Sequence, residues 1–216
     1  MIGRLEEVAQ RTVSRETFDR LQAYIDLLLA ESQKQNLISA GSTEDLWERH
    51  ILDSAQLVRF EPDARAAWVD IGSGAGLPGI VVSCLVAGQM TLIEPRRLRA
   101  DFLRRVIDEL DLNACVLTCK AEAAQGQFDV ITGRAVARLS AFLKLSAHLS
   151  TRNTVWALPK GRSADLELAE ALRTWQGVFH VEQSVTDPES QIVVATGVRV
   201  KQDDPHRGSQ SKGRRR

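Results

Sequence analysis

The sequence predicts an α/β fold: a mostly parallel sheet covered by helices on both faces, closed by an antiparallel hairpin and preceded by a helical extension. Three observations carry this. From Ala66 onward, short apolar runs at 68–71, 90–94, 115–118, 128–132 and 154–158 alternate with helical patterns at 79–87, 96–110, 139–149 and 163–175. Such βα alternation builds parallel strands, because each crossover helix lets the next strand run the same way. A cluster of glycines follows the first run, where an ordinary turn needs one or two. Last, the strand-like runs at 178–185 and 192–201 are joined only by Thr186-Asp-Pro-Glu-Ser190, which is too short for a crossover, so they pair antiparallel.

The elements before the sheet are helical. Residues 14–34 place Phe18, Leu21, Ile25, Leu28 and Leu29 at helical spacing behind Ser14, a good N-cap. A loop at Ala40-Gly41-Ser42 follows, then a second helix over 44–59 capped by Ser42 or Thr43 and ended by Glu61-Pro62-Asp63. The chain thus divides into a helical extension (1–64), an α/β domain (65–202) and a basic tail (203–216), with no internal repeat.

At 216 residues the chain has room for one α/β domain and a modest appendage. Lys plus Arg equals Asp plus Glu at 28 each, so bulk charge makes no case for nucleic acid. Local charge says more: Arg96, Arg97, Arg99, Arg104 and Arg105 share one segment, and Arg207, Lys212, Arg214, Arg215 and Arg216 crowd the tail. A basic tail attracts phosphate or simply solubilises a disordered end. No run has the length of a membrane span and no apolar leader stands at the N-terminus, so a cytoplasmic protein is expected. Cys84, Cys115 and Cys119 sit in apolar segments and read as reduced core thiols, with no partners nearby for a zinc site.

The informative stretch is Ala67-Trp-Val-Asp-Ile-Gly-Ser-Gly-Ala-Gly-Leu-Pro-Gly79. An apolar strand delivers Asp70 and then Gly72, Gly74, Gly76 and Gly79, whose missing Cβ atoms let a ligand lie against the backbone. Gly74-Ala-Gly76-Leu77-Pro-Gly79 fits the dinucleotide pattern, with Glu94 about 20 residues on. The whole segment fits better the Asp-x-Gly-x-Gly-x-Gly motif of S-adenosylmethionine (SAM) methyltransferases. Asp70 can accept loop N–H groups and help hold an ammonium, whereas a pyrophosphate would be repelled there. The closing antiparallel hairpin supports SAM independently, since the seven-stranded class I methyltransferase sheet has it and a dinucleotide domain normally lacks it.

Open α/β sheets bind ligands beyond the C-terminal strand ends. There Glu94 can take both ribose hydroxyls, and Ala121 and Glu122 can hold an adenine. The fourth strand leads into Thr132-Gly133-Arg134-Ala135, which has neither the Asn-Pro-Pro-aromatic set of amine methylation nor a Pro-Cys nucleophile. A guanidinium stays protonated in proteins, so Arg134 is no base, but it binds a carboxylate, a phosphate or a carbonyl oxygen such as guanine O6. No catalytic residue is assigned. That absence is informative, because guanine N7 has a free lone pair and needs only alignment. His50 and Asp53, three apart on a helix, are expected to orient each other over the cleft. Lys160, after the fifth strand, is a phosphate contact or a turn lysine.

Together the blocks Asn36-Leu-Ile-Ser39, Arg49-His-Ile-Leu-Asp-Ser54, Asp70 to Gly79, Arg97 with Phe102-Leu103, Ala121-Glu122, Arg134-Ala-Val-Ala137 and Lys160-Gly161 resemble the bacterial small-subunit rRNA (guanine-N7)-methyltransferase G family, also called glucose-inhibited division protein B. The resemblance spans roughly residues 20 to 175, and the Leu-Pro-Gly extension and the His-Ile-Leu-Asp-Ser block are its most specific parts. It implies a SAM-dependent enzyme, working as a monomer, that methylates N7 of one guanine in a 16S rRNA loop of the small ribosomal subunit. By family analogy the cofactor contacts fall on Gly72, Leu77, Ala121, Glu122 and Arg134, with Glu94 in place of the family's ribose acid. Glu31-Ser32 stand where the family often has Trp-Asn, and Ile93-Glu94-Pro95 replaces a frequent Asp-Ser. The competing readings are a small-molecule SAM methyltransferase, a non-catalytic RNA-binding assembly factor and an NAD-dependent oxidoreductase.

Overall fold

A computed structural model describes residues 1–38 and 46–201. The expected loop at 40–42, its caps Ser42 and Thr43, the start of the second helix and the basic tail lie outside the described residues. The centre is a seven-stranded sheet of order β3-β2-β1-β4-β5-β7-β6. Its strands are β1 (Trp68–Ile71), β2 (Met90–Ile93), β3 (Ala114–Leu117), β4 (Phe128–Thr132), β5 (Ser150–Lys160), β6 (Trp175–Gln183) and β7 (Gln191–Val200). Strands β1 to β5 are parallel, and β7 runs antiparallel to both β5 and β6. The expected hairpin is therefore present, with β6 starting three residues earlier than predicted. Trp175 opens β6 rather than ending a helix, because α7 (Ala164–Ala171) stops earlier and the indole is buried on the sheet.

Side chains alternate across β1 with the two-residue period of a strand and feed two cores. Trp68 joins Met90, Leu92 and Val130 under α4 (Gly79–Leu85) and α5 (Arg97–Glu109). Val69 and Ile71 join Ile131, Trp156 and Leu158 under α6 (Leu139–Ser146) and α7. The helical extension belongs to the first core. Leu5 and Val8 of α1 (Ile2–Ala9), a helix the sequence reading did not anticipate, and Leu21, Tyr24 and Leu28 of α2 (Arg15–Ser32) are buried there. Ser14 caps α2 as expected, its Oγ accepting from Thr17 N–H at 3.0 Å. The buried stripe runs through Tyr24, while Phe18, Ile25 and Leu29 are only half-buried.

The second helix is irregular. Trp47–Leu52 winds in wide π turns, α3 (Asp53–Ala55) is one α turn, and Gln56–Phe60 tightens to 3-10 geometry. Such departures from α geometry often mark functional positions. One expectation about the cysteines needs correction. Cys84 is buried, but Cys115 is exposed and Cys119 half-buried, because β3 is an edge strand with one flank open.

Candidate active site

The glycine loop leaves β1 and folds back on β2. Gly72 and Ser73 N–H donate to Ile93 O at 2.8 and 3.1 Å, and Gly76 N–H donates to Ser73 O at 2.7 Å. Gly72 and Gly76 take φ of 70° and 98°. A Cβ at Gly72 would lie 2.8 Å from Val136 Cγ2, and one at Gly76 would lie 2.6 Å from Ile80 Cγ1. These two positions need glycine for conformation and for space together. In front of the loop lies a cradle of about 330 Å3, lined among others by Gly72, Gly74, Leu77, His50, Arg99 and Arg134.

Two acids stand behind the loop. Asp70 is fully buried, and its Oδ2 accepts from Gly79 N–H, the first residue of α4, at 3.2 Å. Its Oδ1 has no hydrogen-bond partner. Glu94 is 3% exposed, with Oε2 accepting from Gly74 N–H at 2.9 Å and Oε1 from Arg96 N–H at 2.8 Å. Each Glu94 oxygen thus already holds one backbone N–H, leaving acceptor capacity on both. Neither acid is among the residues lining the cradle, and both hold backbone N–H groups at its base. Ala121 and Glu122 open a 3-10 turn just past β3 and are not part of this lining either.

Helix α2 holds the loop from the other side. Tyr24 Oη, fully buried, donates to Ala75 O at 2.9 Å. This contact was not anticipated. The signal available was the chain's only tyrosine on the buried stripe of an amphipathic helix, since a buried phenol needs a partner. Tyr24→Phe leaves the Ala75 carbonyl unpaired in the core, so stability is expected to fall by about 1–3 kcal/mol. SAM affinity should fall with it by less than about tenfold. Urea unfolding and a SAM titration check both, and a variant unchanged in both would contradict the clamp.

The loop after β4 brings in Arg134. Its Nη1 donates to Asp53 Oδ2 at 3.4 Å and its Nη2 to His50 Nδ1 at 3.3 Å. His50 and Asp53 therefore do not orient each other directly. They share a face as the spacing predicts, but what they meet on it is the Arg134 guanidinium. Asp53 Oδ1 accepts from Gln56 Nε2 at 2.9 Å and Thr186 Oγ1 at 3.2 Å, tying the helical extension to the β6–β7 turn. Arg134 also lines a second cleft of about 440 Å3, walled by Asp53, Val136, Pro159 and Ile192. Lys160 faces inward rather than serving as a turn lysine. Its Nζ donates to Ala137 O at 2.9 Å and pairs with Glu167 at 3.0 Å, pinning the Arg134 loop to β5.

With this geometry in place, the comparisons with known proteins are decisive. The model of the family described as rRNA small subunit methyltransferase G matches residues 17–192. The chain belongs to that family. A relative from Novosphingobium aromaticivorans named Ribosomal RNA small subunit methyltransferase G is 42% identical over 195 residues, covering 88% of this chain and 85% of that protein. Its namesake from Sphingopyxis alaskensis is 44% identical, covering 85% and 80%. Among solved structures, a SAM-dependent methyltransferase from Aquifex aeolicus superposes with a TM-score of 0.57 at 15% identity, over 77% of this chain and 97% of that one. That likeness shows the fold.

The cofactor of this methyltransferase is SAM, and the residues present fit it. Gly72 and Gly74 line the cradle with bare backbone, Arg99 and Arg134 on its surface suit the carboxylate of SAM, and the buried acids Asp70 and Glu94 stand behind the loop. Among the described residues no group of His, Cys, Asp and Glu is arranged to hold a metal ion.

Burial sets the charge states. Complete desolvation raises Asp70 to about 7, against the pull of Ser73 and Gly79. Since this folded value lies above the unfolded value of about 3.9, the folded state binds more protons between the two. The stability this group contributes is therefore present at low pH and lost as pH rises through about 7. Asp70→Asn should remove that slope. Its stability relative to wild type is expected to rise from pH 5 and level off above about pH 7 in urea unfolding, and a constant difference would contradict the buried carboxylate. Burial and then the Arg134 charge lower His50 to about 4, so the ring is neutral at pH 7. A guanidinium only donates, so Nδ1 accepts and the ring proton sits on Nε2, which has no partner.

Proposed function

We propose that the chain transfers the SAM methyl group to N7 of one guanine in a loop of 16S rRNA within the small ribosomal subunit. The observation that carries this reading is the make-up of the junction between cradle and cleft. It holds Arg134 and no imidazole nitrogen free to take a proton: His50 presents its proton on Nε2, Glu167 is held by Lys160, Ser163 and Leu139 N–H, and Asp53 is ion-paired with Arg134 and held by three donors that leave one acceptor site. An acceptor bearing a proton would need a base there, and guanine N7 does not. When bound, SAM supplies a sulfonium-activated methyl group. The chain's residues then have to align the base and exclude water.

In this reading Gly72, Gly74, Leu77 and Arg134 touch the cofactor directly. Asp70, Gly76 and Glu94 shape the loop, Glu94 offering its remaining lone pairs to the ribose, and Ala121 and Glu122 hold the adenine. Residues 65–202 form the catalytic domain, 1–64 cover it and clamp the loop, and 203–216 form a basic tail. On α5, Arg104 is engaged by Asp101 and Thr118, and Arg105 by Glu31. Arg97 and Arg99 have no ion pair among the described residues and suit RNA phosphates. The protein works as a monomer in the cytoplasm; no described helix is long and apolar enough to cross a membrane.

The test is transfer of labelled methyl from SAM to small ribosomal subunits lacking the modification. Label that ribonuclease renders acid-soluble supports an RNA acceptor. Label passing to free metabolites instead would favour the small-molecule reading, and SAM binding without transfer would favour an assembly factor.

A further inference from the structure

The ≈ 440 Å3 cleft sets the apolar side chains of Val136, Pro159 and Ile192 among polar and charged groups, with Arg134 and Asp53 at one corner. In that corner Arg134 and Asp53 stand side by side, Nη1 to Oδ2 at 3.4 Å. We infer that this pair reads the Watson–Crick edge of the target guanine, Arg134 donating to O6 and Asp53 Oδ2 accepting from N1–H. Asp53 is then the residue that separates guanine from adenine. The inference rests on the guanine-N7 reading above and adds the residue that selects the base.

Hydrogen-bond capacity leads to this assignment. A carboxylate has about four acceptor sites. Three on Asp53 are taken, two on Oδ1 by Gln56 and Thr186 and one on Oδ2 by Arg134. One site on Oδ2 stays open, and the side chain, which lines the cleft, is 19% exposed. The Arg134–Asp53 bond is long for a charge-assisted pair, so both groups retain pairing strength for a third partner. The other carboxylate lining the cleft, Glu167, is held by Lys160, Ser163 and Leu139 N–H, so Asp53 is the one with capacity to spare.

The pair is also fixed in place. Gln56, fully buried, holds Asp53 Oδ1 and in turn reaches Ser184 Oγ at 3.0 Å and accepts from Val185 N–H at 3.0 Å. His50 holds the far side of the guanidinium. A donor beside an acceptor matches the O6 and N1–H of guanine and leaves N7, on the adjacent edge, free. Adenine offers an amino group and a bare N1 at the same places, setting donor against donor and lone pair against lone pair. This edge is reachable only once the base has left its stack, and Val136, Pro159 and Ile192 offer apolar surface to its faces.

The experiment compares small subunits reconstituted with 16S rRNA carrying guanine, inosine or 2-aminopurine at the target position. Inosine keeps O6 and N1–H and loses the 2-amino group; 2-aminopurine loses O6 and N1–H and keeps the amino group and N7. Wild-type kcat/KM should be alike for guanine and inosine and at least about 100-fold lower for 2-aminopurine. Asp53→Asn should lower guanine and inosine by about 10- to 100-fold more than it lowers 2-aminopurine. A merely structural role would lower all three together, and that result would overturn the inference. Inosine as poor as 2-aminopurine with wild-type protein would overturn it without any variant. Absence of transfer to guanine itself would overturn the underlying reading instead, so the two failures are distinguishable.

Discussion

Gly72→Val is expected to abolish SAM binding while leaving the sheet folded. The backbone there has φ of 70°, a region that a β-branched residue enters only as an outlier. The new Cβ would lie 2.8 Å from Val136 Cγ2, so the valine must push the Arg134 loop outward or unwind its own turn. Either movement breaks the two N–H bonds from Gly72 and Ser73 to Ile93 O or fills the cradle. Local strain of this kind costs about 1–3 kcal/mol, which a two-core sheet survives. The cradle does not, and the SAM dissociation constant should rise by at least about 100-fold. Calorimetric titration alongside thermal unfolding separates these effects. Normal SAM affinity in the folded variant would contradict the placement of the cofactor on this loop.

That loop was legible because its physics is local. An apolar strand, an acid and four glycines in eight residues permit few conformations, and the backbone bonds that fold the turn run to its own residues and to the neighbouring strand. The parallel order and the final hairpin were legible for the same reason: connection length decides strand direction. What the sequence hid is long-range. Tyr24 reaches Ala75 across 51 positions, and Arg134 reaches Asp53 and His50 across 81 and 84. No periodicity in one segment reports a partner in another. The His50–Asp53 spacing pointed to the shared face but not to the guanidinium that joins the two residues on it. Asp70 was placed correctly in sequence but faces inward, since its alternation with Val69 and Ile71 along β1 points it at the start of α4 rather than at the cradle. Helix α1 escaped notice because eight residues hold little more than two turns of pattern.

Arg134→Ala carries the second large effect. The guanidinium is the one side chain described here that lines both cradle and cleft and bonds two residues of the helical extension. Hydrogen bonds to charged groups contribute about 1.5–3 kcal/mol each, so losing both is expected to lower kcat/KM by at least about 100-fold. Arg134→Lys keeps the charge but not the fork, and should recover only part of the loss. A second readout is independent of turnover. Burial is the first cause of the low His50 value and the Arg134 charge the second, so removing the charge should move His50 upward from about 4 while burial still holds it below its ordinary value. Proton NMR titration of the ring follows this directly. Unchanged kinetics together with an unmoved His50 would reduce Arg134 to a surface ion pair.

Both variants test parts of the site; the product tests the whole account. The measurement is to map the methyl group on 16S rRNA from subunits treated with the enzyme and SAM, using reduction and chain cleavage selective for N7-methylguanine. The account predicts a single cleavage, at one guanine in a loop, absent when SAM is withheld. Label in 16S rRNA with no N7-specific cleavage would contradict it, because the methyl group would then sit on an atom other than guanine N7.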